Sequence, residues 1–175
     1  MKVKQMKKKL QLQPLEKEDL AFVYHMQINP DVSNYWCQEP YTTMAKIEQS
    51  YLASQEGNSH REFILTQKNE KIGFLALYDI DNRHRHAEFS IIIDPNHQGK
   101  GYAEQASRLL IDYGFNQLNL HKLYLHVLKH NEKAIHIYKK IGFQHEGELK
   151  QHYFVDGHYY DGYMMGLLRD KYISK

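Results

Sequence analysis

The segment from Ile91 to Leu120 constrains the fold of this chain more than any other. An apolar run, Ile91-Ile92-Ile93-Asp94-Pro95, gives way to Gln98-Gly99-Lys100-Gly101-Tyr102-Ala103. Apolar residues then recur at helical spacing through Ala103, Ala106, Leu109, Leu110, Tyr113 and Leu118. Strand, glycine-rich turn and helix start in that order build an anion cradle. The glycines lack Cβ atoms, so several N–H groups can converge on one anion, and the positive end of the helix dipole adds to the attraction. Lys100 is not followed at the required spacing by a Ser or Thr that would hold magnesium, and no third glycine completes a dinucleotide turn. The turn is therefore neither a nucleotide-hydrolysing P-loop nor a dinucleotide fingerprint.

The rest of the chain reads as a single domain spanning residues 1–175, with 1–8 as a frayed start. Its length, with 42% hydrophobic and 25% charged residues, suits one α/β unit with a sizeable core. Lys2, Lys4, Lys7, Lys8 and Lys9 crowd the beginning, yet the net charge is only +2, which argues against a nucleic-acid partner. No apolar run is long enough to cross a bilayer and the basic start leads into Leu10-Gln11-Leu12-Gln13, so no membrane role and a cytoplasmic location are expected. A single cysteine, Cys37, excludes an intrachain disulfide. Arg83-His84-Arg85-His86 interleaves cations with imidazoles, which would repel a divalent ion, so no metal site is expected. Fourteen tyrosines and Trp36 suit an amphipathic ligand or aromatic subunit contacts.

Lys9 to Gln13 alternates as a strand and Pro14 ends it; acidic residues then open a helix from Leu20 to Gln27, which Asn29-Pro30-Asp31 is expected to stop. The aromatic stretch Tyr35 to Tyr41 reads as a loop, and Thr42 or Thr43 caps a helix to about Gln55. Glu62–Gln67, Lys71–Tyr78 and Arg85–Asp94 read as three antiparallel strands. After the long helix, His121 to Leu128 alternates. Asn131 to Lys140 returns to helical spacing, with Gly142 placed to end it. Glu148–Val155 and Tyr159–Leu168 flank Asp156-Gly157, a strong hairpin signal.

Three local stretches, Glu88-Phe89-Ser90-Ile91-Ile92-Ile93, the Gln-x-x-Gly-x-Ala turn, and Asn131 to Phe143, together resemble the GNAT superfamily of acetyl-CoA-dependent N-acetyltransferases. Tyr35-Trp36, Glu39-Pro40-Tyr41, Ala87-Glu88-Phe89, Tyr113-Gly114-Phe115 and Glu146 to Leu149 extend the likeness, over nearly the whole length, to bacterial spermidine (diamine) N-acetyltransferases. The resemblance implies a GNAT fold, a mixed and mostly antiparallel sheet flanked by helices. It implies acetyl transfer from acetyl-CoA to a primary amine of a polyamine by direct transfer in a ternary complex, and a homo-oligomer.

By the same resemblance, Ile91, Ile92, Ile93, Gln98, Gly99, Lys100, Gly101, Tyr102, Ala103, Glu104, Asn131, Lys133, Ala134 and Tyr138 meet acetyl-CoA, with a backbone N–H of the Ser90–Ile93 strand at the carbonyl oxygen. Asn131 either bonds the pantetheine arm or caps the next helix, or does both. Tyr138 is the general acid, its proton expected to pass readily to the departing thiolate. Glu88 is the candidate base or cation anchor, although a carboxylate near 4 is a weak base for an amine near 10, and its alternative is an ion pair with Arg85 or Arg61. Tyr35, Trp36, Glu39, Tyr41, Asp79, Glu88 and Phe89 would surround the polyamine, since each ammonium needs carboxylates and aromatic walls in place of water. The chain departs from these relatives at Gln38, Lys46 and Ser54, where they tend to carry acidic or histidine residues of a regulatory polyamine site. The competing expectations are an acceptor at a protein N-terminus or another small amine, and a non-catalytic sensor.

Overall fold

The computed structural model describes residues 9–36 and 41–172. The expectations attached to Cys37, Gln38, Glu39, Pro40 and the lysines before Lys9 lie outside the described residues. Seven strands form one sheet: β1 (Gln11–Pro14), β2 (Arg61–Gln67), β3 (Glu70–Asp81), β4 (His86–Ile93), β5 (Lys122–Leu128), β6 (Gln144–Val155) and β7 (His158–Leu168). Their spatial order is β1-β2-β3-β4-β5-β7-β6. Among the described residues only β4 and β5 run parallel; every other pairing is antiparallel. The parallel pair needs a crossover, and α4 (Tyr102–Asn116) provides it. The other helices are α1 (Leu20–Gln27), α2 (Pro30–Trp36), α3 (Met44–Gln55) and α5 (Glu132–Ile141).

Local chemistry explains the connections. Lys68 and Asn69 both adopt positive φ, as do Asp156 and Gly157, and two left-handed residues in a row make the hairpin turn that matches strand twist. Thr43 caps α3 by accepting from the Lys46 N–H. The expected stop at Asn29-Pro30-Asp31 is a restart instead. Asn29 Oδ1 accepts from the Asp31 N–H at 2.9 Å, the Asn29 carbonyl accepts from Val32 and Ser33, and Pro30 sits in a first turn that needs no N–H from it. The stretch to Trp36 is thus helix α2 rather than loop.

The sheet is apolar on both faces. One core joins it to α4 and α5 through Leu75, Leu77, Ala87, Phe89, Leu110, Leu123, Ile135 and Phe143; the other joins it to α1, α2 and α3 through Leu20, Val23, Val32, Ile47, Phe74, Ala76 and Ile92. Strand alternation sends neighbours to opposite cores, as with Phe74 and Leu75. Each fully buried Leu contributes roughly 1.5–3 kcal/mol. Among the described residues no helix is long and apolar enough to cross a membrane.

Candidate active site

The site begins where the sheet comes apart. The parallel ladder between β4 and β5 covers only His86, Ala87 and Glu88 opposite Lys122, Leu123 and Tyr124. Beyond that point β4 continues against β3 as far as Ile93 opposite Gly73, while β5 continues against β7 as far as Leu128 opposite Gly162. Phe89 to Ile93 therefore have left the partner on one side. A wedge opens inside a sheet, and the backbone groups along it can serve a ligand that enters.

At the far end of β4 lies the glycine turn. Gly99 and Gly101 both have φ of 75°, and a Cβ on either would meet nothing within 4 Å. Their backbone faces open space. Side chains pin the loop from behind: the Gln98 amide donates to the Ile93 carbonyl at 3.2 Å, Lys100 Nζ to the Asn96 carbonyl at 3.1 Å, and the Tyr102 hydroxyl to Gln67 Oε1 at 3.0 Å. Ala103 follows in the first turn of α4 and packs on the core. Glu104 pairs with Lys140 at 2.7 Å and Arg108 at 3.3 Å, which hold its carboxyl below the usual range. Its charge ties α4 to α5 and is compensated there, so an anion at the turn meets little repulsion from it.

The start of α5 supplies the opposite bank. Asn131 Oδ1 accepts from the Ala134 N–H at 3.2 Å, so capping is the role the side chain fills. Lys133 is exposed in the first turn, and Ala134 rests half-buried on the core. Two turns on, the Tyr138 ring stands edge-on to Phe89 and to Phe143, with centroids 6.2 and 5.8 Å away. Phe89 is 3% exposed in the core beneath it. The expectation that Phe89 lines the amine site is therefore corrected: strand parity turns it away from Glu88, and it supports Tyr138. Ile92 and Ile93 are likewise core residues, and Ile91 partly so, leaving their backbone to face the wedge.

Burial pushes the Tyr138 phenol up to about 12. A proton moves spontaneously toward the group of higher pKa, so donation to a free thiolate, near 8.5, runs uphill. The expectation that its proton passes readily to a departed thiolate is therefore corrected: the general acid that the resemblance implies at Tyr138 would have to give its proton while the leaving bond breaks.

Glu88 occupies the other face of the same strand, opposite Tyr78 on β3 and level with Tyr124 on β5. Neither arginine takes it: Arg85 bonds the Asn119 carbonyl, and Arg61 the His60 and Asn58 carbonyls. Its partner is His126, whose Nδ1 lies 3.2 Å from Glu88 Oε1. Asp79 sits at a break in the β3 register with φ of 49°, and burial, then Glu88 and Asp79, raise the Tyr124 phenol. Two carboxylates, a phenol and an imidazole thus meet where the strands part. His126 escaped the sequence reading, although alternation from Tyr124 through Leu125 places it on the Tyr124 face.

A groove of about 540 Å³ between α1, α3 and the sheet opens on that face, lined by Trp36, Lys46, Tyr51, Ser54, Glu62 and Tyr78 among others. Glu62 accepts from Ser54 Oγ at 3.0 Å and from the Tyr78 hydroxyl at 3.4 Å. Burial, then Glu62, push the Tyr78 phenol strongly upward. Glu62 and Tyr78 are further polar residues the sequence reading missed. The aromatic stretch is not gathered into one wall: Trp36 enters the groove against Phe74, Tyr35 is half-exposed beside His130, and Tyr41 is 82% exposed.

Comparison with known proteins agrees with this geometry. Residues 9–144 match the acetyltransferase (GNAT) domain family. The chain is 44% identical over 166 residues to a spermidine N(1)-acetyltransferase of Escherichia coli K12, covering 95% of this chain and 89% of the relative. The crystal structure of the Vibrio cholerae spermidine N-acetyltransferase in complex with CoA and spermine superposes with a TM-score of 0.91 at 41% identity, over 94% of this chain and 98% of that one. A dodecameric structure of the same Vibrio cholerae enzyme in an intermediate state superposes with a TM-score of 0.82 at 39% identity, over 93% and 95% of the two chains. A wedge between parallel strands, a glycine turn at its mouth and this breadth of likeness lead to one conclusion: the chain belongs to the GNAT acetyltransferases, alongside the spermidine N-acetyltransferases.

Proposed function

We propose that this protein transfers the acetyl group of acetyl-CoA to a primary amine of a polyamine such as spermidine or spermine, in the cytoplasm and as a homo-oligomer. The observation that carries the reading is the wedge after Glu88, with acidic groups on one face and Tyr138 on the other. Acetyl-CoA supplies an activated acyl thioester. The open backbone at Gly99 and Gly101 fits its pyrophosphate, because no side chain there stands between the backbone N–H groups and an incoming anion. The parted edge of β4 offers N–H groups to the carbonyl oxygen as negative charge develops on it. Glu88 and Asp79 draw a polycation toward the wedge, and Tyr124 and Tyr78 give its methylene stretches an aromatic wall. Tyr138 protonates the leaving sulfur as the C–S bond breaks. Holding amine and thioester together is itself a large contribution, since positioning can supply roughly 7–11 kcal/mol of a barrier.

Thiol release from acetyl-CoA, measured with spermidine, spermine, putrescine and a panel of peptides with free N-termini, tests the proposal. Turnover on spermidine or spermine well above putrescine and the peptides is expected. Turnover confined to peptides would reassign the acceptor, and none on any amine would leave only a ligand-binding protein.

A further inference from the structure

Resting on the polyamine reading, we propose that His126 takes the proton from the substrate ammonium, with Glu88 orienting the imidazole through its Nδ1. The geometry sets the tautomer. Glu88 Oε1 is an acceptor 3.2 Å from Nδ1, so the ring proton resides on Nδ1 and Nε2 keeps a free lone pair. About a third of each side chain is open to solvent, 33% for His126 and 30% for Glu88, which gives both a substrate and bulk water access. Glu88 sits at the last rung of the β4–β5 ladder, opposite Tyr124, and His126 lies two residues further along β5, where the strands have parted and the wedge begins.

A carboxylate near 4 is mismatched to an ammonium near 10, whereas an imidazole halves that gap. The groups around His126 favour the imidazolium it becomes. Glu88 faces it from β4, and Tyr124 stands beside it on β5 with ring centroids 5.8 Å apart. From β7 the opposing residue is the uncharged Met164, itself opposite Gly147 of β6. The bond to Glu88 raises the His126 pKa above its ordinary value, burial opposing it only in part.

The reaction balances. The ammonium gives one proton to His126 Nε2, which passes it to solvent. The freed lone pair forms the C–N bond to the acetyl carbonyl, and the C–S bond breaks as Tyr138 gives its proton to sulfur. The nitrogen, on becoming an amide, sheds the second proton that restores Tyr138. One ammonium and one thioester yield one amide, one thiol and one proton in solution.

The test uses the full-length enzyme at saturating acetyl-CoA. For the wild type, kcat is expected to rise with pH through one ionisation above about 6.5 and then level off, because the neutral imidazole is the active form. His126→Gln is expected to lower kcat by roughly 10²–10³-fold, remove that limb and leave the acetyl-CoA KM little changed. Glu88→Gln is expected to move the limb toward lower pH, and added imidazole to restore part of the activity of His126→Ala. Nitrogen-15 spectra of the histidine rings report the substrate-free enzyme: the Nδ1–H tautomer at His126 is expected, and its loss in Glu88→Gln. A His126→Gln enzyme within about threefold of wild type with its limb intact, or an Nε2–H tautomer, would overturn the assignment. If another primary amine is turned over and polyamines are not, the polyamine reading fails and the His126 variants are judged on that amine. If no amine is turned over, both fail.

Discussion

Tyr138 and Phe89 show how two residues can share one contact and differ in what they do. Both rings belong to the same edge-to-face cluster with Phe143, but only Tyr138 carries a hydroxyl. Tyr138→Phe keeps the ring, so the melting temperature is expected to stay within a few degrees and the acetyl-CoA KM within about threefold. The kcat is expected to fall by roughly 10²–10⁴-fold, the usual range for a lost general acid. A kcat close to wild type would remove the role assigned to Tyr138. The sign of the alkaline limb follows from the raised phenol. The protonated form is the active one and burial moves its pKa upward to about 12, so Tyr138 imposes no loss of kcat until pH approaches that value; a fall beginning near 9 would point to another group. The role proposed for Tyr138 rests on its flanking residues, from Asn131 to Phe143, whose pattern resembles that of the family. Phe89 was misread because a strand's alternation separates two faces without saying which is covered, and only the packing of α4 and α5 on its face decides the matter. His126 was legible in principle, by parity with Tyr124, but its meaning depends on Glu88, thirty-eight residues away in the chain.

The glycine turn belongs to the scale of elements, since it joins β4 to α4 and gains its shape from both. With φ of 75° at Gly101 and free space where a Cβ would go, Gly101→Ala meets no clash in the fold itself. It costs about 1–2 kcal/mol of backbone strain and fills the space proposed for the pyrophosphate. The acetyl-CoA KM is expected to rise at least tenfold while kcat at saturation changes by less than about threefold; an unchanged KM would place the cofactor elsewhere. The turn was readable because glycine spacing, the preceding strand and the following helix all lie within one short stretch of chain. The hairpin turns at Lys68-Asn69 and Asp156-Gly157 were readable for the same reason. Helix α2 was not, because Asn29-Pro30 can stop one helix or start another, and which it does depends on Val32 and Trp36 finding apolar cover against the sheet.

At the scale of the whole molecule, the proposed cofactor path touches the turn before α4, the parted edge of β4 and the start of α5, while the amine face belongs to the core under α1, α2 and α3. The two cores share one sheet: Phe74 serves one and Leu75 the other from adjacent positions. Neither can come apart without exposing the back of the other, so the described sheet and its helices are expected to unfold in one cooperative transition. Sequence could suggest the cores through apolar alternation, but not that the ladder between β4 and β5 stops at Glu88, because the divergence of two strands is decided by what each pairs with on its other side. CoA bound across that divergence, as proposed, would stabilise only the native state. At a hundredfold excess over its dissociation constant it adds about 2.7 kcal/mol, which raises the melting temperature of a chain of this size by roughly 5–10 °C. Scanning calorimetry at fixed protein concentration is expected to show one peak that moves as a whole with CoA. Two peaks, one of them unmoved by CoA, would mean that the cores melt independently and that the amine face is not coupled to the cofactor face through the sheet.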